Sequence, residues 1–324
     1  FETFIWKHDE VGQAFKDAVT ERARAGVAVW LIYDRFANLV VPRRFFDFVP
    51  EIHVLGYRSI RRPQDLLNPR RWGRDHRKVL VVDRRHGFVG GFNIGAVYRD
   101  AWHDTHMRVE GGEANDLAFA FVDFWRNHAP GRPSPPLPFR PWSADVRVHR
   151  NDPRRVMFPV RSIYVEAIEH AQSHIHLTQA YFVPDRAMLG ALVAAAARGV
   201  AVTVLVPWEA NHVLVDFLSR HLFEECLEAG IRIFGYQGVM IHSKTCTIDG
   251  VWSTVGTTNM DRLSLAGNYE INVEIFDPAI AAEMDRLFEA DLASAREITL
   301  DDWRDRPVTE RAAELLLSPL WFLV

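Results

Sequence analysis

Only two cysteines occur in 324 residues, Cys226 within a helical pattern and Cys246 within an apolar strand pattern. That scarcity excludes a disulfide scaffold and makes a reducing compartment the default. No apolar run reaches the roughly 20 residues of a membrane-spanning helix. The C-terminal LLLSPLWFLV (315–324) is too short and is broken by Pro319, so it reads as a packed tail rather than a membrane foot. Trp208 has the same ambiguity in the loop after 200–206. Positive charge is not in excess, since 38 Lys and Arg face 42 Asp and Glu for a net charge of −4. This balance argues against a globally basic nucleic-acid binder. With 48% apolar and 25% charged residues, the chain is globular and long enough for two domains.

What the sequence does contain is an internal repeat. HRKVLVVD at 76–83 returns as HSKTCTID at 242–249, and a constant offset of 166 pairs His76 with His242, Lys78 with Lys244 and Asp83 with Asp249. The same offset pairs Asn93 with Asn259 and Asp104 with Glu270. After each histidine the residues turn apolar or β-branched, which predicts a buried strand. Histidine and lysine two positions apart project from one face of that strand. Asp83 and Asp249 end the strands, and Gly250 adds a turn signal. A short second strand then leads to Gly90-Gly91 in one copy and Gly256-Thr257 in the other. Small residues there are expected to let backbone N–H groups approach an anion, with Asn93 and Asn259 beside them. Two lysines, two asparagines and such donors suit one phosphate held between two histidines.

The halves also share a coarse pattern. ETFIW, a helix over Asp9 to Ala25 and VAVWLIY match IHLTQ (175–179), a helix over Arg186 to Arg198 and VAVTVLV (200–206). Strand, helix, strand with short connections predicts parallel pairing with helices over the sheet. Helices near 113–128 and 278–294 close the two halves. The prolines 130, 133, 135, 136, 138 and 141 predict a stiff linker. The expected organisation is a first half over 1–128, a linker over 129–158 and a second half over 159–324. Nothing in the first half matches the helical pattern from Val160 to His170, so the chain is read as an N-terminally truncated piece of a longer protein.

HxKxxxxD, six residues, then GGxN or GTxN, twice in one chain, resembles the phospholipase D superfamily. The surrounding NPRRWGRDHRKVLVVD, GGFNIG, YFVPD, RGVAVTVLVP, STVGTTNMDRLS and NYEINVEIFD resemble bacterial cardiolipin synthases across nearly the whole chain. The resemblance implies an α/β fold of two similar α-β-α sandwich halves with the active site at their interface. It implies catalytic His76, Lys78, Asp83, His242, Lys244 and Asp249, with His76 as nucleophile and His242 as acid. On the residues alone the two copies are nearly symmetric, and the roles stay interchangeable. The family often has serine where this chain has Gly91 and Thr257, and commonly DxRS where it has Asp261-Arg262-Leu263-Ser264.

One histidine must be neutral to attack phosphorus while the other is protonated to release the alcohol. An imidazole serves either role near neutrality, so neighbours decide. Asp104 and Glu270, each 28 residues beyond a histidine and at the start of an alternating strand, are assigned as orienting groups.

The resemblance implies transfer of a phosphatidyl group between anionic phospholipids, phosphatidylglycerol being the implied substrate, with no metal or organic cofactor. Hydrolysis of phospholipids is the nearest alternative, and a phosphodiesterase or nuclease of the same superfamily a more distant one. The basic run over residues 58–78, from Arg58 to Lys78, is read as drawing anionic headgroups toward the site. His170, His174, His176, His103 and His106 lack a cysteine or carboxylate cluster at metal spacing and are read as ordinary histidines, with His106 of interest beside Asp104. The expected location is cytoplasmic and peripheral on the inner membrane, with any anchor in a segment preceding Phe1.

Overall fold

The computed structural model describes the chain except residues 140–142, 308, 310–315 and 317–324. The C-terminal run singled out above therefore lies outside the described residues, apart from Leu316. No described helix is long and apolar enough to cross a membrane.

Two mixed sheets dominate. The first has six strands, in the order Ile52–Tyr57, Val29–Asp34, Glu2–Thr3, Val79–Val82, His86–Gly90 and His106–Glu110. The second has eight, in the order Ala295–Ile298, Arg232–Tyr236, Ala201–Pro207, His174–Gln179, Lys244–Ile248, Trp252–Gly256, Ile271–Phe276 and Val146–Arg150. In both, the motif strand runs antiparallel to the first strand of its half: Val79 sits opposite Glu2 and Thr245 opposite Thr178. The duplication in the sequence is thus a duplication of sheet topology.

The helices follow the expected spans closely. Glu10–Arg24 starts at Asp9, whose side chain accepts from the Gly12 N–H, and Arg186–Ala197 starts at Asp185, which accepts from Ala187 and Met188. Gly26 and Gly199 follow these helices with φ of 89° and 90°, a left-handed conformation that removes the penalty only for glycine. The helices Ala114–His128 and Pro278–Leu292 complete the halves.

One boundary differs from the expectation. Val146–Arg150, inside the supposed linker, pairs antiparallel with Ile271–Phe276 as an edge strand of the second sheet. Its alternation of Val and basic residues carries strand information that the preceding prolines obscured. Val146 and Val148 pack with Val79, Val89, Leu117, Ile271 and Val273 in one apolar cluster, so the halves share a core. Burying that surface at about 25 cal/mol per Å² favours a docked arrangement.

A second correction concerns the basic run. Arg77 and Lys78 are buried, so neither belongs to an exposed basic surface that could attract headgroups from outside the site. Arg77 pairs with Glu2 and with Asp75, the latter at 3.0 Å. In the other half Ser243 and Thr178 occupy the corresponding places, both neutral. Arg77 and Glu2 therefore replace two small polar residues as a unit, because a buried guanidinium without a carboxylate is strongly unfavourable.

Candidate active site

The two motif segments meet through matching backbone bonds. His76 N–H donates to the Tyr269 carbonyl at 3.0 Å, and His242 N–H donates to the His103 carbonyl at 2.6 Å. Tyr269 and His103 are themselves related by the repeat offset, so the bonds are equivalents about a local two-fold relationship. Met240–Ile241 also pairs in parallel with Trp102–His103, and Asp75 bridges to Tyr269. Each histidine is thereby laid against the strand lead-in of the opposite half.

That placement crosses the carboxylates. His76 Nδ1 lies 3.0 Å from both oxygens of Glu270, and His242 Nδ1 lies 2.7 Å from Asp104 Oδ2. Both orienting candidates reach an imidazole, and each reaches the imidazole of the other half. With Nδ1 engaged, Nε2 is the ring nitrogen left for chemistry.

The lysines sit where their spacing placed them. Lys78 Nζ donates to the His76 carbonyl at 2.6 Å, and Lys244 Nζ to the His242 carbonyl. Both are fully buried. Burial, opposed by Glu270 for Lys78 and by Asp104 for Lys244, pulls their pKa values down to about 7 and about 8. Burial, followed by repulsion from these lysines, holds both imidazoles well below the ordinary histidine range. Burial also raises Glu270 to about 8 and Asp104 to about 6. The cluster therefore favours neutral forms and is primed to gain protons when an anion enters.

The small residues act differently from expectation. The Gly91 and Thr257 N–H groups are spent on the Thr105 and Ile271 carbonyls at 3.1 and 2.9 Å, so they do not cradle a phosphate. A Cβ on Gly91 would lie 2.0 Å from Asp104 Oδ1, and one on Gly256 would lie 2.2 Å from Asn272 Oδ1. A Cβ on Gly90 would lie 2.4 Å from the Thr105 carbonyl. These glycines admit the carboxylate-bearing strand rather than the substrate. Thr257 instead donates its hydroxyl to Glu270 at 2.5 Å, a contact for which position 91 has no equivalent.

Asn259 is buried, and its side-chain oxygen finds no partner among the described residues, which leaves an acceptor for a ligand hydroxyl. Asn93 is partly committed, since its Oδ1 accepts from the Ile5 N–H at 3.1 Å.

Asp83 and Asp249 do not join the cluster. Each lies seven residues beyond its histidine at the far end of a strand, a span of about 20 Å at the usual rise. Both adopt positive φ, at 52° and 55°, as turn residues. Asp249 accepts from the N–H groups of Gln172, Ser173 and His174, tying the lead-in of the first strand of its half to the turn. Position in the motif suggested chemistry, whereas the strand geometry assigns these aspartates to folding.

The remaining histidines divide. His103 pairs with Asp291 at 2.8 Å, and His170 contacts the Glu166 carbonyl. His106 stacks on Phe92, with burial pulling its pKa down to about 4. His174, His176 and Asp285 offer ligand atoms within 4.8 Å of one another, at the Asp249 end of the sheet and away from the cluster. The Asp285 carboxylate, which bonds His176 at 2.8 Å and the Thr247 hydroxyl, comes from a helix far along the chain and gave no spacing signal. Sequence reasoning also missed the hydroxyl pair Thr105–Ser243, 3.0 Å apart across the two halves.

The comparisons agree with this architecture. A family model described as "Cardiolipin synthase, PLD-like domain" matches residues 164–292. A cardiolipin synthase of Geobacillus kaustophilus is 32% identical over 98% of this chain and 66% of its own length. The major cardiolipin synthase of Bacillus subtilis is 30% identical over 98% of this chain and 69% of its own length. A cardiolipin synthase of Clostridium perfringens is 31% identical over 98% of this chain and 71% of its own length. The chain thus spans about two-thirds of the length of these relatives. Among solved structures, phosphatidylserine synthase of Haemophilus influenzae matches 100% of this chain and 89% of its own, with a TM-score of 0.71 at 13% identity. That likeness establishes the fold, and the sequence identities, together with the doubled motif and its paired geometry, establish that the chain belongs to the cardiolipin synthase family of phospholipase D-like proteins.

Proposed function

We propose that this chain carries out the phosphatidyl transfer of a cardiolipin synthase, moving a phosphatidyl group from one phosphatidylglycerol to the hydroxyl of another. The observation that carries the reading is the crossed pairing: two imidazoles, each held at Nδ1 by the opposite half, with two buried lysines around them. Such a cluster suits a single phosphodiester and two successive in-line displacements.

In the first step His76 Nε2 attacks phosphorus, forming an N–P bond as the P–O bond to glycerol breaks. His242, protonated at Nε2 once the anion is bound, gives its proton to the leaving glycerol oxygen. In the second step the incoming hydroxyl loses its proton to His242 and its oxygen attacks phosphorus, expelling His76. Lys78 and Lys244 counter the charge that develops on the phosphoryl oxygens. No metal or organic cofactor enters this scheme, and the enzyme works at the cytoplasmic face of the membrane.

Product analysis with phosphatidylglycerol vesicles tests the reaction. Cardiolipin and free glycerol in equal amounts are expected. Phosphatidic acid as the sole product would reassign the chain to hydrolysis, and cleavage of DNA without lipid turnover would reject the lipid reading. Mass spectrometry of enzyme quenched with an activated phosphodiester is expected to find the phosphoryl label on His76. A label on His242 would reverse the roles of the histidines.

A further inference from the structure

The three parallel strands of the first sheet, Glu2–Thr3, Val29–Asp34 and Ile52–Tyr57, all leave the sheet at one edge. That edge is the catalytic one. Phe4, after the first strand, packs edge-on to His76 with centroids 4.7 Å apart. Asp34, ending the second, accepts from the Asp75 N–H at 3.0 Å, and Tyr57, ending the third, donates its hydroxyl to the Gly73 carbonyl at 3.0 Å. The loops 35–49 and 58–75 therefore stand on the rim beside His76.

Both loops expose what a soluble surface ordinarily hides. Val40 is 83% exposed and Leu67 87%, and Phe36, Leu39, Leu66 and Trp72 are each more than half exposed. Leu66 and Leu67 end the short helical turn Pro63–Leu67. Asp65 holds that turn by accepting from the Arg61 and Arg62 N–H groups at 2.9 and 3.0 Å. The leucines are thus presented on an ordered support. The loops adjoin, since the Arg74 guanidinium lies 3.5 Å over the Phe36 ring. The apolar rim continues toward the second half: Gly73 abuts Pro153 and the Gly267 carbonyl, near exposed Val156, Met157 and Leu263.

Charge is concentrated in the same place. Residues 35–74 hold nine arginines against Asp47, Glu51 and Asp65, in a chain whose net charge is −4. Arg43, Arg44, Arg58, Arg61, Arg62 and Arg70 are exposed. Apolar side chains that project among arginines match the boundary between acyl chains and anionic headgroups, where each nearby arginine strengthens binding by about fivefold. A uniformly apolar partner would leave the arginines unmatched, and an anionic polymer would leave the leucines in water.

We propose that this rim is a bilayer-docking surface, inserting Phe36, Leu39, Val40, Leu66, Leu67 and Trp72 beneath anionic phospholipid headgroups that the arginines bind. The proposal deepens the function above and rests on it for the identity of the surface. Docking by the catalytic rim delivers a headgroup to the histidines without lifting the whole lipid into water.

Co-sedimentation of the full chain with vesicles of phosphatidylcholine, with and without phosphatidylglycerol, tests it. A soluble activated phosphodiester, turned over by the same preparations, reports the catalytic site independently. Wild type is expected to bind the anionic vesicles, more weakly as salt is added. Leu66→Ser combined with Leu67→Ser, and separately Arg62→Gln combined with Arg70→Gln, should each weaken that binding by tenfold or more. Soluble turnover should be unchanged in both, which also verifies folding. Wild-type binding by both double variants, or equal binding to both vesicle types, would overturn the proposal. So would a dimer of the lipid-free chain that the leucine variant dissolves, since the rim would then be covered by a second copy. Anionic-vesicle binding that the variants abolish, with no turnover by wild type, would uphold the docking surface and reject the catalytic reading alone.

Discussion

Glu270 places both carboxylate oxygens 3.0 Å from Nδ1 of His76, a residue 194 positions earlier in the opposite half. Asp104 and His242 repeat the arrangement at 2.7 Å. His76 and His242 each take their carboxylate from the opposite half, so the site exists only when the halves dock. This offers a physical reason for the shared core of Val79, Val89, Val148, Ile271 and Val273, which holds the two sheets in register.

The crossing makes the two carboxylates distinguishable. With an activated phosphodiester whose leaving group needs no proton, Glu270→Gln is expected to slow formation of the His76 adduct by about a hundredfold, whereas Asp104→Asn leaves it nearly unchanged. With a poor leaving group both variants slow, because His242 must then donate. Rapid-quench measurement of labelled protein separates the cases, and a swapped pattern would exchange the roles of the histidines.

Gly91→Ala is expected to lose activity through geometry alone. The added methyl would sit 2.3 Å from Asp104 Oδ2, the oxygen that holds His242, and 2.0 Å from Oδ1, forcing Asp104 aside. Thr257→Val should cost about ten- to a hundredfold in turnover by leaving Glu270 short of one donor. The two substitutions separate in the pH–rate profile: only the valine variant is expected to shift the ionisation tied to Glu270.

Anion binding should depend on pH through the lysines. Their folded pKa values, about 7 for Lys78 and about 8 for Lys244, lie below the ordinary lysine range, so each ammonium loses its proton as pH rises through that window. Inhibition by vanadate is therefore expected to be strongest below pH 7 and to weaken by about tenfold or more by pH 9. Inhibition constants across this range check the sign, and affinity that rose with pH would contradict the assignment.

Asp249→Ala is expected to destabilise the fold without touching the chemistry. It removes the acceptor of three backbone N–H groups, at a cost of about 1 to 3 kcal/mol. A lower melting temperature with near wild-type kcat in the folded enzyme is the predicted outcome. Asp83→Ala, at an exposed turn, should change stability less. A large loss of kcat in either variant would return the aspartates to the active site.

Much of this protein was legible in its residues. The repeat offset identified the motif strands at Val79–Val82 and Lys244–Ile248, both histidines, both lysines and both carboxylates, because local spacing records what side chains a strand must present. The helices expected over Asp9 to Ala25 and Arg186 to Arg198 run over Glu10–Arg24 and Arg186–Ala197, within a residue at each end. The strand at Val146–Arg150 was masked by the neighbouring prolines, and its partner lies more than a hundred residues away.

Tertiary structure decided everything that depends on which half faces which. A sequence offset of 166 says that two histidines and two carboxylates are equivalent, but equivalence is silent on whether each carboxylate serves its own histidine or the other. Docking the two sheets through His76 with Tyr269 and His242 with His103 settles the exchange. It likewise turns the glycines from a presumed phosphate cradle into clearance for Asp104 and Asn272, and sends the motif aspartates to remote turns. The physical reason is that residue type and spacing specify local conformation, whereas proximity across an interface comes from burying two apolar surfaces against each other.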